Sequence, residues 1–463
     1  MFENLTNQTK GLLDNLSKFS TASGELTTYV DLSTPAKRLL TFNSPILDSL
    51  PRTSVFGASV SWDTLVKMIA LGDGTGTEGA KGGSTKFKYE PSMVTIKKQS
   101  LSGDISDKVE LLDAAKRDTI KASNYIYTLA KLKELVEMMI IGGTTTNLDT
   151  PAKPTAVVDA DGGEIEAATY KVTVCALTSQ GIYDIPCDIQ DEDLELRPNG
   201  YTDLSPVSDD VVVAANGAAL VLSVEPVDNA FAYAFFVGVG AAMKLQVVSS
   251  ASTVTITKIV ATGQASSTIT ENKSGNENAF DGLTTQGIKG GAYHKKMAYT
   301  KLTKSNAGGV VELDEMLEHF SRRLKLSPDI IYCGSQAHID ISTACLQSNN
   351  GLQQQVVVPA DGKVSANTLV EIYRNKSRGL KALPIVTHPL FPPNLIVVLT
   401  TTIPYQNTRI SNMMDMAVLE EFRAKDYAET DDFVEYSVKC WSAFRHFMPK
   451  SMGIISNLQA GVQ

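Results

Sequence analysis

The sequence predicts an α+β protein carrying an inserted all-β sandwich, and three observations point there. Residues 107–143 form one long amphipathic run of helical period, residues 151–271 hold only short alternating runs divided by turn residues, and mixed patterns resume afterwards. The 463 residues, 43% hydrophobic and 20% charged, have a globular make-up and room for two to four domains. No stretch reaches the ~18 uninterrupted apolar residues of a membrane helix, so no membrane partner is expected. Acidic residues come early at the N-terminus, with no apolar segment before a small-residue cleavage site, so the chain is expected to stay in the cytoplasm where it is made.

Residues 1–55 are weakly patterned and cut by Pro35, Pro45 and Pro51. They read as an extended arm with one short amphipathic helix, whose Leu5, Leu12, Leu13 and Phe19 are candidates for contact with a neighbouring chain. Two strand-like runs, 54–71 and 84–101, flank GDGTGTEGAKGG, in which six of twelve positions are glycine. This predicts a long hairpin with a flexible tip, marked on its second arm by Phe87, Tyr89, Val94 and Ile96 and exposed at an edge by Pro91. Such a ribbon is too thin for a core and is marginal in water alone. Gly74, Gly76, Gly79, Lys81 and Gly83 at the tip are therefore candidate inter-subunit contacts.

The helix follows. Val109, Leu112, Ile120, Leu129, Leu132, Val136 and Ile140 form its apolar stripe, Asp107 and Glu110 a capping box, and Gly142-Gly143 its stop. At ~1.5 Å per residue the rod is ~50 Å long. After the linker TTTNLDTPAKPT come TYKVTVCAL, DVVVAA, GAALVLSVEPV, AFAYAFFVGVG, KLQVVSS and STVTITKIV, strands of a two-sheet sandwich of immunoglobulin or fibronectin type. In one of them Phe231, Tyr233, Phe235 and Val237 share a face. Residues 152–270 carry 15 acidic and five basic side chains, against 36 acidic and 37 basic elsewhere, so the net charge of −9 belongs to this segment. That predicts a separate, solvated body, entered and left at adjacent points. From Phe280 on, VELDEMLEHFSRRLKL and AHIDISTACLQ read as helices. PDIIYCGSQ, LVEIYRNKS, ALPIVTHPL, NLIVVLTTT, MAVLEEFRA and FVEYSVKCWSAFRHF read as strands.

No constellation calls for catalysis, a cofactor or a metal. Gly74-x-Gly76-x-x-Gly79 has the spacing of a dinucleotide fingerprint, but a strand and turn follow it where a helix N-terminus would be needed for the phosphate. His294, His319, His338, His388 and His446 are scattered, as are Cys175, Cys187, Cys333, Cys345 and Cys440, which read as free thiols. The run Asp191–Glu195 lacks the glycine and spacing of a calcium loop. With no basic patch evident in the sequence, tight phosphate binding is not expected.

The order of parts resembles the major capsid protein of tailed bacteriophages, with the Hong Kong 97-type fold. The resemblance is carried by LSGDISDKVELLD, where the second hairpin arm feeds the helix, by KELVEMMIIGG at the helix end, and by FDGLTTQGI and PDIIYCGSQAHIDI. TYKVTVCALTSQG with AFAYAFFVGVG resembles the immunoglobulin-like domain that some members carry as an insert. The resemblance implies an N-terminal arm (1–55), an extended hairpin loop (56–104), a spine helix (105–150), the inserted sandwich (151–271), an axial domain (272–366), peripheral strands (367–450) and a C-terminal tail (451–463). It further implies a non-enzymatic virion protein that self-assembles into hexamers and pentamers of an icosahedral head, built in the host cytoplasm around double-stranded DNA. The DNA would be touched weakly and non-specifically, and the acidic insert would face outward. Expected partners are neighbouring capsid subunits, a portal and a separate scaffolding protein. A virion surface or tail adhesin built on the sandwich, and an encapsulin-like compartment shell, are the alternative readings.

Overall fold

The computed structural model describes residues 44–71, 75, 78, 83–106, 120–190, 194–305, 308–346, 370–378, 381–402, 412–427 and 433–459. The arm residues Leu5, Leu12, Leu13 and Phe19, the cap residues Asp107 and Glu110, and the tip residues Gly74, Gly76, Gly79 and Lys81 lie outside the described residues.

The first element, α1 (Pro45–Ser49), is opened by a proline whose fixed φ suits a first helical position, and Ser44 makes no side-chain cap to it. A distant carboxylate supplies the cap. Glu137 of α2 (Ile120–Gly142) accepts the Ile46 N–H at 2.8 Å and the Leu47 N–H at 2.7 Å. His388 Nε2 lies 2.7 Å from the same carboxylate, and both side chains are fully buried. The Leu390 N–H donates to His388 Nδ1, so the ring is the neutral tautomer whose Nε2 proton is aimed at Glu137. Leu132, Val136 and Ile140 of α2 are buried in the main core, as its stripe predicts, and Ile141, outside that stripe, is buried there too. At its end a side chain on Gly142 would collide with the Phe231 ring, so glycine permits a close approach there.

Next in the chain come β1 (Arg52–Ser54), β2 (Ser59–Ala70), β3 (Thr85–Thr95) and β4 (Lys97–Ser106). β2 and β3 form an antiparallel hairpin from Ser59 opposite Thr95 to Ala70 opposite Thr85, with one bulge between Leu65 and Lys67. The hairpin is shorter than the 56–104 expected. The chain turns at buried Ile96, whose N–H bonds to the Ala58 carbonyl, and β4 leaves to join another sheet.

Residues 155–256 fold as β5 (Thr155–Asp159), β6 (Thr169–Leu177), β7 (Val211–Val212), β8 (Ala219–Ser223), β9 (Ala232–Val239), β10 (Ala242–Ser249) and β11 (Thr253–Ile256). They make two antiparallel sheets of order β10-β9-β6-β7 and β11-β8-β5. Tyr233, Phe235 and Val237 fill the space between the sheets, with Val172, Val174, Leu220 and Leu222. The chain enters and leaves side by side. The Leu148 N–H donates to Ser274 Oγ at 2.8 Å, and Asn272 Nδ2 to the Leu148 carbonyl at 3.1 Å.

Two expectations for this unit are corrected. Phe231 does not share the inter-sheet face but belongs to the main core, and the opposite face of β9 (Ala232, Ala234, Phe236) is also buried, under Leu194, Tyr201 and Ile269. Nor is the unit a separate solvated body. Ser179 Oγ bonds to the Met138 carbonyl at 3.0 Å, and Tyr183 donates to Glu134 at 2.5 Å. Lys131 pairs with Asp184 at 2.9 Å, and Thr284 donates to Asn229 at 2.6 Å. Charge counting saw the acidic surface but could not see the apolar end that docks. On α2, Lys131, Glu134, Met138 and Gly142 meet this unit, while Leu129, Leu132, Val136 and Ile140 enter the main core; the two stripes lie nearly opposite at 100° per residue.

The remaining elements are α3 (Leu283–Lys289), β12 (Tyr293–Lys296), α4 (Val311–His319), β13 (Ile330–Cys333), α5 (Ser335–Leu346), β14 (Ile372–Asn375), β15 (Lys381–Thr387), β16 (Ile396–Leu399), β17 (Met414–Asp426), β18 (Phe433–His446) and β19 (Gly453–Ser456). One sheet has the order β1-β17-β18-β4 and packs Val438, Cys440 and Phe444 into the α2 core. The other, of order β12-β19-β16-β13-β15-β14, is mixed: β13 runs parallel to β15 and antiparallel to β16. Its Val397, Leu399 and Ile454 face the α2 core, while Ile396, Val398, Ile331 and Ile455 pack under α4 and α5.

Two further corrections follow. The strands near 372–399, expected beside β17 and β18, pair with β13, because β16 (IVVL) is buried at all four positions and needs cover on both faces. The expected tail at 451–463 contributes β19, a buried strand whose GIIS run fills the place between β12 and β16.

Replacing Glu137 by Gln turns an NH2 group toward donors and should lower the unfolding free energy by roughly 3 kcal/mol in a denaturant titration. Phe231→Ala should cost about 3–5 kcal/mol in the same measurement and act on the whole described body, since its ring fills the joint between the β unit and α2.

Candidate assembly interface

Alternation along the β2–β3 hairpin gives it two unlike faces. One carries Val60, Trp62, Thr64, Glu90, Ser92 and Val94, by register. Its root is seated on the body: the Trp62 ring meets Phe447 edge-on at 5.7 Å, Thr64 Oγ1 donates to the Phe447 carbonyl at 2.8 Å, and Val60 and Val94 pack on the main core. Glu90 lies 3.8 Å from Lys450, both half-exposed, which adds little.

Among the described residues the other face has no seat. Phe87, Tyr89 and Met93 stand in one row along β3 with Pro91 between them, and are 53%, 57% and 70% exposed. Full burial of each is worth roughly 1.5–3 kcal/mol, so this row is a substantial unrealised apolar gain on the hairpin.

Beneath the root, His446 ends β18. Its Nδ1 accepts the Met448 N–H at 3.2 Å, which places the ring proton on Nε2, and that atom finds no acceptor among the described residues. Burial alone holds its pKa far below the usual histidine value, at about 3. The Trp62 Nε1 proton is likewise buried without an acceptor among the described residues. By contrast Asp329 opposes its own burial: Lys381 and the Thr401 and Thr402 amides donate to it and hold its carboxyl below the usual range.

Of the residues singled out from sequence, Gly83 is described, exposed just before β3; the other tip and arm candidates lie outside the described residues. In the sequence Phe87 and Tyr89 read only as strand formers; with Met93 they make the exposed row. Glu137, His388 and Trp62 were missed. A signal existed for Glu137: it is the one acid in LVEMMII, and an acid enclosed by apolar neighbours on a core helix must find donors.

No family model and no curated protein matches the chain. Among solved structures it is similar to the capsid asymmetric unit of cyanophage A-1(L), at 10% identity and a TM-score of 0.46, covering 94% of this chain and 98% of that one. It is also similar to the capsid of a native GTA particle, at 7% identity and 0.42, covering 94% and 97%. A third likeness is to the SrpI encapsulin of Synechococcus elongatus, at 8% and 0.40, covering 95% and 96%. Likenesses of this degree concern the course of the backbone, and the functional reading below is drawn from the geometry.

Because the folded His446 has its pKa near 3 and an unfolded one near 6.5, the unfolded chain binds the extra proton between those values. Stability should therefore fall as pH is lowered from about 6.5 toward 3, by up to ~1.4 kcal/mol per unit from this residue. In thermal melts across that range, His446→Phe should flatten the slope.

Proposed function

We propose that this chain is a structural subunit of a closed capsid-type shell, self-assembling as hexamers and pentamers of a phage head around double-stranded DNA. The observation that carries the reading is the hairpin: a two-stranded ribbon that among the described residues is seated only at its root, with Phe87, Tyr89 and Met93 exposed on the other face. Two strands alone are marginal in water, so the row needs apolar cover from another chain, and a subunit that reaches onto its neighbour supplies it.

In this reading the β2–β3 hairpin is the extended loop. α2 with the β1-β17-β18-β4 sheet is the peripheral domain, the six-stranded sheet with α4 and α5 is the axial domain, and residues 151–271 form an immunoglobulin-like insert. The insert's excess of acid over base would be repelled by packaged phosphates, which sets it on the outer surface. Its position on the side of α2 away from the four-stranded sheet is consistent with an outward placement. No chemical step is assigned to the chain.

Purified protein viewed by negative-stain electron microscopy should show closed shells or capsomers. The Phe87→Ser/Tyr89→Ser/Met93→Ser variant should keep its thermal transition and lose assembly. Particles from the triple variant at the yield of the unsubstituted chain would remove the basis of the reading, and native particles empty of DNA would favour a compartment shell over a phage head.

A further inference from the structure

Both edges of the six-stranded sheet carry cations, and they differ in how those cations are paired. At the β14 edge, the turn from β14 into β15 meets the end of the α4 segment: Ser321 Oγ donates to the Ser377 carbonyl at 3.3 Å, and Asn375 Nδ2 reaches Ser327 Oγ at 3.2 Å. This tip carries Arg322, Arg323, Lys325, Arg374, Lys376 and Lys381, all exposed. Three are matched, Arg322 by Glu318 at 3.1 Å, Lys376 by Asp314 at 2.9 Å and Lys381 by Asp329 at 2.6 Å. Arg323, Lys325 and Arg374 form no ion pair among the described residues, in a chain whose net charge is −9.

At the opposite edge, Lys296 of β12 holds Asp228 of the β unit at 2.7 Å. Five strand spacings of ~4.8 Å put about 24 Å between β12 and β14. From its docked end the β unit sends β5 outward, Thr155 opposite Ser223 to Asp159 opposite Ala219, and the chain then turns through Asp161, Glu164 and Glu166 into β6. These four carboxylates are exposed and none is in an ion pair among the described residues. The unmatched cations thus sit at the β14 edge and the unmatched acids on the β unit, whose Asp228 meets the β12 edge, and no ion pair among the described residues joins the two sets.

We infer that the cationic tip of one copy takes the acidic β5–β6 turn of the next. The contact joins two different surfaces of the same chain, the heterologous arrangement that closes into rings when the rotation between copies divides a full turn. Opposed charges steer such an encounter and fix its register, and like charges brought together by a wrong register oppose it. The inference rests on the shell-subunit reading and names the surface through which copies adjoin within a ring.

The test uses two full-length variants with surface charges reversed, Arg323→Glu/Arg374→Glu and Asp161→Lys/Glu164→Lys, both checked for an unchanged thermal transition. Sedimentation at low salt reads association. Each variant alone should associate at least tenfold more weakly than the unsubstituted chain, and a one-to-one mixture should restore association, because each then offers the other a complementary patch. Full association by either variant alone, or no recovery in the mixture, overturns the pairing. So does retention of a short DNA duplex by the unsubstituted chain that is lost only in the tip variant, which makes the tip a nucleic-acid contact. If the unsubstituted chain forms neither closed shells nor capsomers, the shell reading fails, while recovery of head-to-tail association in the mixture still decides this pairing.

Discussion

A carboxylate removed from water has to be surrounded by donors, and Glu137 collects its donors from three places in the chain. Two amides come from α1, one imidazole proton from the turn after β15, and the acid itself from the middle of α2. Removing a charge from solvent costs several kcal/mol unless such bonds are complete, so the node holds only when all three parts are in place. It fixes α1 against α2 and with it β1, the edge strand of the four-stranded sheet. It also ties the β15–β16 connection to the same helix, so the two sheets are referred to one axis. The hairpin leaves the body a few residues after β1, and its direction follows from that reference.

The sequence made the helix legible because a stripe of Leu132, Val136 and Ile140 at helical spacing has one reading, and the hairpin legible because a glycine-rich stretch divides two strand-like runs. It did not reveal which strands share a sheet. NLIVVLTTT and MAVLEEFRA both look like strands, and nothing in their patterns says that β16 is buried at every position while β17 is buried only over its first five, Met414 to Val418. GIIS near the C-terminus is too short for periodicity to separate from a loop, yet it fills a buried place. Charge patterning found the acidic unit but was silent about docking, which depends on Phe231, Ser179 and Asn229 and on the pairing of Lys131 with Asp184 and of Lys296 with Asp228. For the candidate interface, alternation placed Phe87 and Tyr89 on one face; that this face is the unseated one depended on Trp62 and Thr64 meeting Phe447, a contact spanning most of the chain.

The hairpin also shows why exposure alone would be a poor argument and exposure on an ordered ribbon is a better one. Scattered apolar side chains on a surface are ordinary. Holding some twenty residues in extended register, however, costs about 1–2 kcal/mol of conformational entropy each, and a ribbon with one seated end recovers only part of that from its ladder of hydrogen bonds and from Trp62, Val60 and Val94. The remainder has to come from apolar area on the free face, and Phe87, Tyr89 and Met93 are where that area lies. Because the described body lies against the other face, in the proposed reading that gain comes from a second molecule. The same logic separates this surface from the charged tip beyond β14: apolar cover supplies affinity, while matched charge selects which neighbour and which orientation. A protomer with both can assemble with a defined hand, which apolar cover alone would not impose.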